Sequence, residues 1–307
     1  MGVDLSISLG GARLTNPVLT ASGCFGSGKE MSRFVDLKTL GAVVCKTVTP
    51  DPRLGISPPR GAETAGGMLN AIGLQNPGVE AFRDNDLAWL AERNVPAIAS
   101  VGGHSVADYV RCVEALRGAK GLIAIEMNLS CPNLEDRGFM FALSAERTAE
   151  VTGATRAAAD VPIFCKLSPD VTDLVPIAEA AVGAGADGLS LINTTLGMAI
   201  DPHTFRAKLS TGTGGLSGPA IKPIAIRCVW QVHRALPHVP IIGMGGIAGV
   251  EDAIEFILAG ATAVAVGTAN FYDPAATETI ARGLLDFCNR HGITSLDEIR
   301  GQVKIEG

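Results

Sequence analysis

Residues 240–268 read PIIGMGGIAGVEDAIEFILAGATAVAVGT. An apolar run, PIIGMG, ends in adjacent glycines. A helical pattern, GVEDAIEFILAG, follows and closes on glycine, the usual residue just past a helix C-terminus. A second apolar run, AVAVGT, comes directly after. Neither run alternates polar with apolar residues, so each reads as a parallel strand buried on both faces.

The same reading extends outward in the N-terminal direction. Further apolar runs lie at PVLTAS (17–22), AVVCKT (42–47), PAIAS (96–100), LIAIEMN (122–128), PIFCKLS (162–168) and GLSLIN (188–193), which makes eight strands with the two above. Helical patterns fall between several of them, at 105–118, 144–159, 173–185 and 221–236. Eight strand–helix units in one chain predict an α/β fold, a (β/α)8 TIM barrel. DLSIS and ARLTN around LGG predict a short N-terminal β-hairpin ahead of the first barrel strand. An open doubly wound sheet is the weaker alternative, because no GxGxxG follows an early strand. No linker or low-complexity tract divides the chain, so residues 1–307 are expected to be a single TIM-barrel domain. The longest irregular stretch, 50–80, follows the second strand and would lie over the catalytic face of a barrel.

Composition sets the outer limits. The chain has 307 residues, 47% apolar and 18% charged, enough for a large core. The formal net charge of -6 with no basic block argues against a nucleic-acid-binding face. No apolar run reaches the roughly 18–20 residues of a membrane span, and a cytoplasmic location is expected. The cysteines at 24, 45, 112, 131, 165, 228 and 288 are scattered without a CxxC pair, so no disulfide framework and no metal site is signalled.

Chemistry-bearing residues gather at strand ends. In a barrel, IIGMGGI (241–247) and AVAVGT (263–268) are the seventh and eighth strands, whose loops commonly hold phosphate on backbone N–H groups. Lys46 and Lys166 each end an apolar strand within a Cys-Lys pair. A lysine so placed faces the catalytic end, where its charge would stabilise an anion or a reduced flavin ring. Snorkelling to solvent is the alternative for either lysine alone. Asn70, Asn128, Asn133 and Asn193 offer donors and acceptors for a planar ligand with amide edges. Cys131, in NLSCPN (128–133), sits where a strand gives way to a loop. A thiolate there would serve as base or nucleophile. The other cysteines read as small core residues, Cys24 remaining ambiguous.

Taken jointly, NLSCPN, MLNAIGLQNPG (68–78), FCKLSPD (164–170), INTT (192–195), GGLSGPAIKP (214–223) and GMGGI (243–247) resemble the class 1 dihydroorotate dehydrogenases, from about residue 3 to the C-terminus. The lack of an amphipathic N-terminal extension counts against class 2, and the GVEAFRDNDLAWL pattern and the LEDRG loop resemble class 1B more than the fumarate-using class 1A. The resemblance implies a TIM barrel that binds FMN and oxidises dihydroorotate to orotate in pyrimidine synthesis. It implies Cys131 as the base that removes the C5 proton while hydride passes from C6 to the flavin N5. Contacts to FMN are implied for Ser22, Lys46, Thr47, Asn128, Lys166, Ile192 and Gly218, with Gly245, Gly246, Gly267 and Thr268 around its phosphate. Ser100 stands where similar enzymes often carry asparagine and is implied as a shorter flavin contact. Substrate contacts are implied for Lys46, Asn70, Ala71, Ile72, Gly73, Leu74, Asn128, Asn133, Asn193 and Thr194. Class 1B also implies a homodimer and an electron-transfer partner carrying FAD and a [2Fe-2S] cluster, making a heterotetramer that passes electrons to NAD+. Two rivals stay open at this level: a dihydropyrimidine dehydrogenase-like flavoenzyme acting on dihydrouracil, and a barrel that binds a phosphorylated metabolite without redox chemistry.

Overall fold

The computed structural model describes residues 2–129 and 140–305. Its central sheet is built from eight parallel strands: β1 Val18–Thr20, β2 Val43–Val44, β3 Ala97–Val101, β4 Leu122–Asn128, β5 Ile163–Leu167, β6 Gly188–Leu191, β7 Ile241–Met244 and β8 Ala263–Val266. Each coincides with one of the apolar runs. From β2 to β8 each strand pairs with the next in sequence, and β8 pairs with β1 through Val264 and Val18. Only two residues of β2 are laddered, so the seam between β1 and β2 closes by other means. Leu19 bridges Ala42, and Gly41 N–H donates to the Val18 carbonyl at 2.8 Å. The Thr20 hydroxyl accepts from Val44 N–H at 2.9 Å and donates to the Val44 carbonyl at 3.2 Å. A side chain thus replaces a missing ladder bond, and the sheet is a closed (β/α)8 TIM barrel.

The continuous apolar character of the strands follows from this geometry. Successive side chains point to opposite faces. Outward residues such as Val43, Cys45, Ala99, Ile125, Ile163, Cys165 and Leu189 pack against the helix ring. Inward ones, Leu19, Val44, Ile98, Ala124, Phe164, Ile242 and Ala265, form a separate inner core. The N-terminal hairpin, Ile7–Leu9 with Ala12–Leu14, adds Ile7, Leu9 and Leu14 to that inner core. Its turn abuts Pro162, at the foot of β5, so tightly that a Cβ on Gly10 would sit 2.8 Å from the proline ring. The hairpin therefore plugs the N-terminal end of the barrel and leaves the opposite end for function.

The helices at Val106–Leu116, Ala145–Ala158, Val175–Gly183, Lys222–Ala235 and Val250–Ala259 match the helical patterns. Ser105 and Asp108 form a capping box at the first of these. Two further helical segments carry no such expectation from the sequence. One runs through Val79–Ala81, Phe82–Leu87 and Ala88–Glu92, and the other is Ala276–His291.

The stretch 50–80 departs from the expected irregular loop. It contains an antiparallel hairpin, Gly61–Thr64 with Gly67–Asn70. That hairpin continues into Thr213–Ser217 and Thr195–Met198 to make a four-stranded sheet. The sheet joins the excursion after β2 to the one after β6 and stands over the C-terminal end of the barrel.

Candidate active site

A cavity of about 350 Å³ opens at the C-terminal ends of the strands. Its floor and walls include Ser22 and Cys24 after β1, Lys46 and Thr47 after β2, Asn128 at the end of β4, Lys166 in β5, and Asn193 and Thr194 after β6. The antiparallel sheet supplies Met68, Asn70 and Ser217, and the loop beyond it supplies Ile72, Gly73 and Leu74. Residues separated by more than a hundred positions meet here because parallel strands present all their C-terminal ends on one rim.

A chain of hydrogen bonds ties four strand ends together. The Ser100 and Thr47 hydroxyls are 2.9 Å apart. Asn128 Nδ2 donates to Thr47 Oγ1 at 3.3 Å, and Asn193 Nδ2 donates to Asn128 Oδ1 at 3.0 Å. The Tyr109 hydroxyl donates to the Asn128 carbonyl at 2.7 Å and fixes the end of β4 from behind. Asn70 Nδ2 donates to the Gly215 carbonyl at 3.3 Å within the antiparallel sheet. Amide groups held in this way present fixed donors and acceptors to a ligand.

The lysines are the cavity's charge. Lys166 is 5% exposed, its ammonium 3.3 Å from Ser22 Oγ and 3.6 Å from a Glu126 carboxylate oxygen. Lys46 stands across the floor, its Nζ 3.8 Å from where a Cβ on Gly23 would be. Burial pushes the Cys24 thiol above its ordinary range, and the Lys166 and Lys46 charges partly oppose that rise.

A second cluster lies beyond Ser217. Thr268 Oγ1 donates to Ser217 Oγ at 2.8 Å. Gly246 (φ +86°) packs so closely that a Cβ would fall 2.9 Å from the Gly218 carbonyl oxygen and 2.7 Å from Lys222 Cβ. Gly218 (φ +97°) is equally confined, 2.7 Å from the Gly67 Cα by the same construction. Gly245 adjoins Ile192, and Gly267 adjoins Ala21 and Cys24. Glycine is thus required at these turns because neighbouring chain fills the space that a Cβ would need. The helix Val250–Ala259 contributes less than its position promises. Asp252 already accepts from Ala248 N–H at 2.8 Å and Gly249 N–H at 2.9 Å. Two N–H groups at the helix start are therefore already taken by a carboxylate of the chain itself.

Eleven of the expected site residues line the cavity: Ser22, Lys46, Thr47, Asn70, Ile72, Gly73, Leu74, Asn128, Lys166, Asn193 and Thr194. Ser100 and Ala71 are fully buried beneath it, Ser100 acting on Thr47. Ile192, Gly218, Gly245, Gly246, Gly267 and Thr268 belong to the adjoining cradle. Cys131 and Asn133 lie outside the described residues. Cys45, Cys112, Cys165, Cys228 and Cys288 are all buried free thiols, in keeping with a packing role. Gly23, Met68, Gln75, Ser217 and Phe271 line the cavity without having been expected, and two charged residues also escape a reading of the sequence. Arg60 lines the cavity from the hairpin of the antiparallel sheet, and Glu126 is buried under it in the middle of β4. The charge of Glu126 inside an otherwise apolar run, LIAIEMN, is the signal that would have found it.

A TIM barrel with two lysines and an amide array around one cavity, beside a cluster of confined glycines, has the layout of an enzyme site. The family model for dihydroorotate dehydrogenase matches residues 4–288. Several curated relatives are catalytic subunits of dihydroorotate dehydrogenase B (NAD(+)). That of Geotalea daltonii is 50% identical over 98% of this chain and 99% of its own length. That of Alkaliphilus oremlandii is 52% identical with the same coverage, and that of Latilactobacillus sakei 54% identical over 93% of this chain and 94% of its own. Among solved structures, the dihydroorotate dehydrogenase of Eimeria tenella in complex with ferulenol superposes with a TM-score of 0.83 at 24% identity, covering 97% of this chain and 88% of that one. At that identity the likeness speaks for the fold. The chain belongs to the dihydroorotate dehydrogenase family, in its NAD(+)-linked class 1B, a group of flavin-dependent oxidoreductases that convert dihydroorotate to orotate in pyrimidine biosynthesis.

Proposed function

We propose that residues 1–307 act as a single FMN-binding domain, with Cys131 as the catalytic base. The observation that carries this reading is the convergence of Lys46, Asn128, Lys166, Asn193 and Thr194 on one cavity whose rim adjoins the glycine cradle. The residues present fit FMN. Gly218, Gly245, Gly246, Gly267 and Thr268 would take its phosphate, and Lys166, Ser22, Thr47 and Ile192 its ring system, with Ser100 acting through Thr47. When bound, FMN supplies the acceptor for the hydride that leaves C6 of dihydroorotate.

The chain's own groups do the rest. Asn128 ends β4 inside the cavity, three positions before Cys131, which supports a thiol delivered over the bound substrate. Cys131 removes the proton from C5. A thiol with an ordinary pKa of about 8.5 is a workable base just above neutral pH. Asn70, Asn128, Asn133, Asn193 and Thr194 hold the pyrimidine edges. Ile72, Gly73 and Leu74 form the wall beside it with Ala71 buried behind them, and the Lys46 charge lies where substrate and flavin meet.

Partnership is the second part of the reading. The relatives' designation as catalytic subunits supports a partner that carries FAD and a [2Fe-2S] cluster and delivers electrons to NAD+. Phe271, at the cavity, and Tyr272 are exposed aromatic side chains, suitable for a protein contact. Leu196, Met198 and Ile200, exposed on the antiparallel excursion, suit pairing of two such chains as a homodimer inside a heterotetramer. Among the described residues no helix is long and apolar enough to cross a membrane, which fits a cytoplasmic site of action.

Anaerobic titration of the FMN-loaded chain tests the reading. Dihydroorotate should bleach the flavin band, and dihydrouracil should not. Bleaching by dihydrouracil alone would transfer the protein to the dihydropyrimidine reaction. Failure to take up FMN would sink the cofactor assignment.

A further inference from the structure

The last barrel strand runs out through AVAVGTANFYDP (263–274), and Asn270 in this stretch has no role in the reading above. Its side chain is 3% exposed. Nδ2 donates to two successive carbonyls, Val266 at 3.0 Å and Gly267 at 3.1 Å. Oδ1 accepts from the Thr277 hydroxyl at 2.7 Å. Thr277 is fully buried in the helix Ala276–His291, so that helix is tied through one amide to the turn that ends β8. Burying an amide is costly unless its donors and its acceptor all find partners. This one finds them in two elements at once.

The two carbonyls decide where the N–H groups of the turn point. The peptide bonds Val266–Gly267 and Gly267–Thr268 are trans. In a trans peptide the N–H is directed opposite to the C=O of the same unit. With both carbonyls drawn to Asn270, the N–H groups of Gly267 and Thr268 face away from it. Among the described residues, neither of them donates to another backbone group. Backbone bonds give the carbonyls some further hold: Val266 also accepts from Ala21 N–H at 2.8 Å, and Gly267 from Asn270 N–H at 3.0 Å. From the other side Thr268 Oγ1 reaches Ser217. We propose that Asn270, anchored by Thr277, is a positioning residue for anion binding at the Gly267–Thr268 turn. It holds two N–H groups in the direction a phosphate needs. This rests on the assignment of the FMN phosphate to Gly267 and Thr268.

The test titrates the flavin-free chain with FMN and with riboflavin and follows flavin fluorescence. Riboflavin has the same ring and no phosphate, so the ratio of the two dissociation constants isolates the phosphate contacts. In Asn270→Ala the FMN dissociation constant should rise about tenfold, as expected for the loss of one or two hydrogen bonds' support, and that of riboflavin should stay within about twofold. Thr277→Val keeps the shape and removes the hydroxyl. It should lower the preference for FMN about threefold, and Thr277→Ser should restore it. A wild-type ratio in Asn270→Ala overturns the positioning role and leaves the phosphate at the turn. An equal loss for both flavins also overturns it, because that reports packing alone. Should Asn270→Ala fail to fold, the Thr277 variants decide, and an undiminished FMN preference in Thr277→Val overturns the proposal. Wild-type protein that binds both flavins equally would remove the phosphate assignment itself, and the proposal with it.

Discussion

The two halves of the barrel interior are built from the same strands and do opposite work. In β5, Phe164 and Lys166 both point inward, two residues apart. In β4, Ala124 is followed by Glu126 and Asn128, and in β3 Ile98 is followed by Ser100. Toward the N-terminal end the inward positions are apolar, join Ile7, Leu9 and Leu14 of the hairpin, and exclude water. Toward the C-terminal end they are polar or charged and meet a cavity. The period of two fixes which residues face inward. Depth along the strand decides whether an inward residue packs or reacts. The division also explains why the hairpin matters: with one end plugged by Ile7, Leu9 and Leu14, the polar layer rests on a packed apolar base.

The comparison breaks most visibly with a substitution confined to the upper half. Cys131→Ala should slow flavin reduction by dihydroorotate about 10²–10⁴-fold, the usual loss for a general base. FMN content and melting temperature should stay near wild type. Stopped-flow bleaching at equal rates in the two proteins would remove Cys131 as base.

The mirror experiment lies in the lower half. Phe164→Ala opens a hole in the inner core and should destabilise the fold by about 3–5 kcal/mol in denaturant titration. The protein that remains folded should still bind FMN. Loss of FMN without loss of stability would show that the halves are not separable.

A pH experiment probes the packing between the strands and the helix ring, with Cys45 and Cys165 on the strand side and Cys112 on the helix Val106–Leu116. Burial pushes the thiols of Cys45, Cys112 and Cys165 up to about 12. They stay protonated in the folded chain, whereas unfolded thiols ionise near about 8.5. Their contribution is complete below that value and fades as pH rises toward 12. Stability should fall by up to about 1.4 kcal/mol per pH unit for each thiol. Alanine at all three positions should flatten this part of the alkaline limb.

The smallest effect belongs to the boundary between the halves. Ser100→Ala removes one hydroxyl from the Ser100–Thr47–Asn128–Asn193 chain and should cost about 0.5–1.5 kcal/mol. It should raise the dissociation constant for orotate several-fold with little change in melting. An unchanged orotate affinity would mean that Thr47 needs no support from beneath.

Much of this was legible before any coordinates. Continuous apolar runs separated by glycine-terminated helical patterns specify buried parallel strands. Lys46, Lys166 and Asn128 stand out because polar groups at the ends of such runs face one rim. The helix Ala276–His291 follows the last strand and had no further strand to bracket it, so nothing singled it out. The antiparallel sheet was illegible for another reason. GAET, GMLN, TLGM and TGGLS are short, and none of the four contains a β-branched or aromatic residue beyond a single threonine. Their strand character comes from pairing Gly215 with Asn70 across a long sequence separation.

The sequence by itself therefore determined the barrel, the end at which it acts and most of the polar groups placed there. These follow from local patterning, which residues specify one by one. Tertiary structure decided what those groups touch. It put Glu126 under Lys166, Ser100 behind Thr47 and Asp252 across the helix N-terminus where an anion was expected. Each of these is a contact between strands or turns that the chain brings together only on folding, and the cost of burying a charge or an open amide makes the partner obligatory.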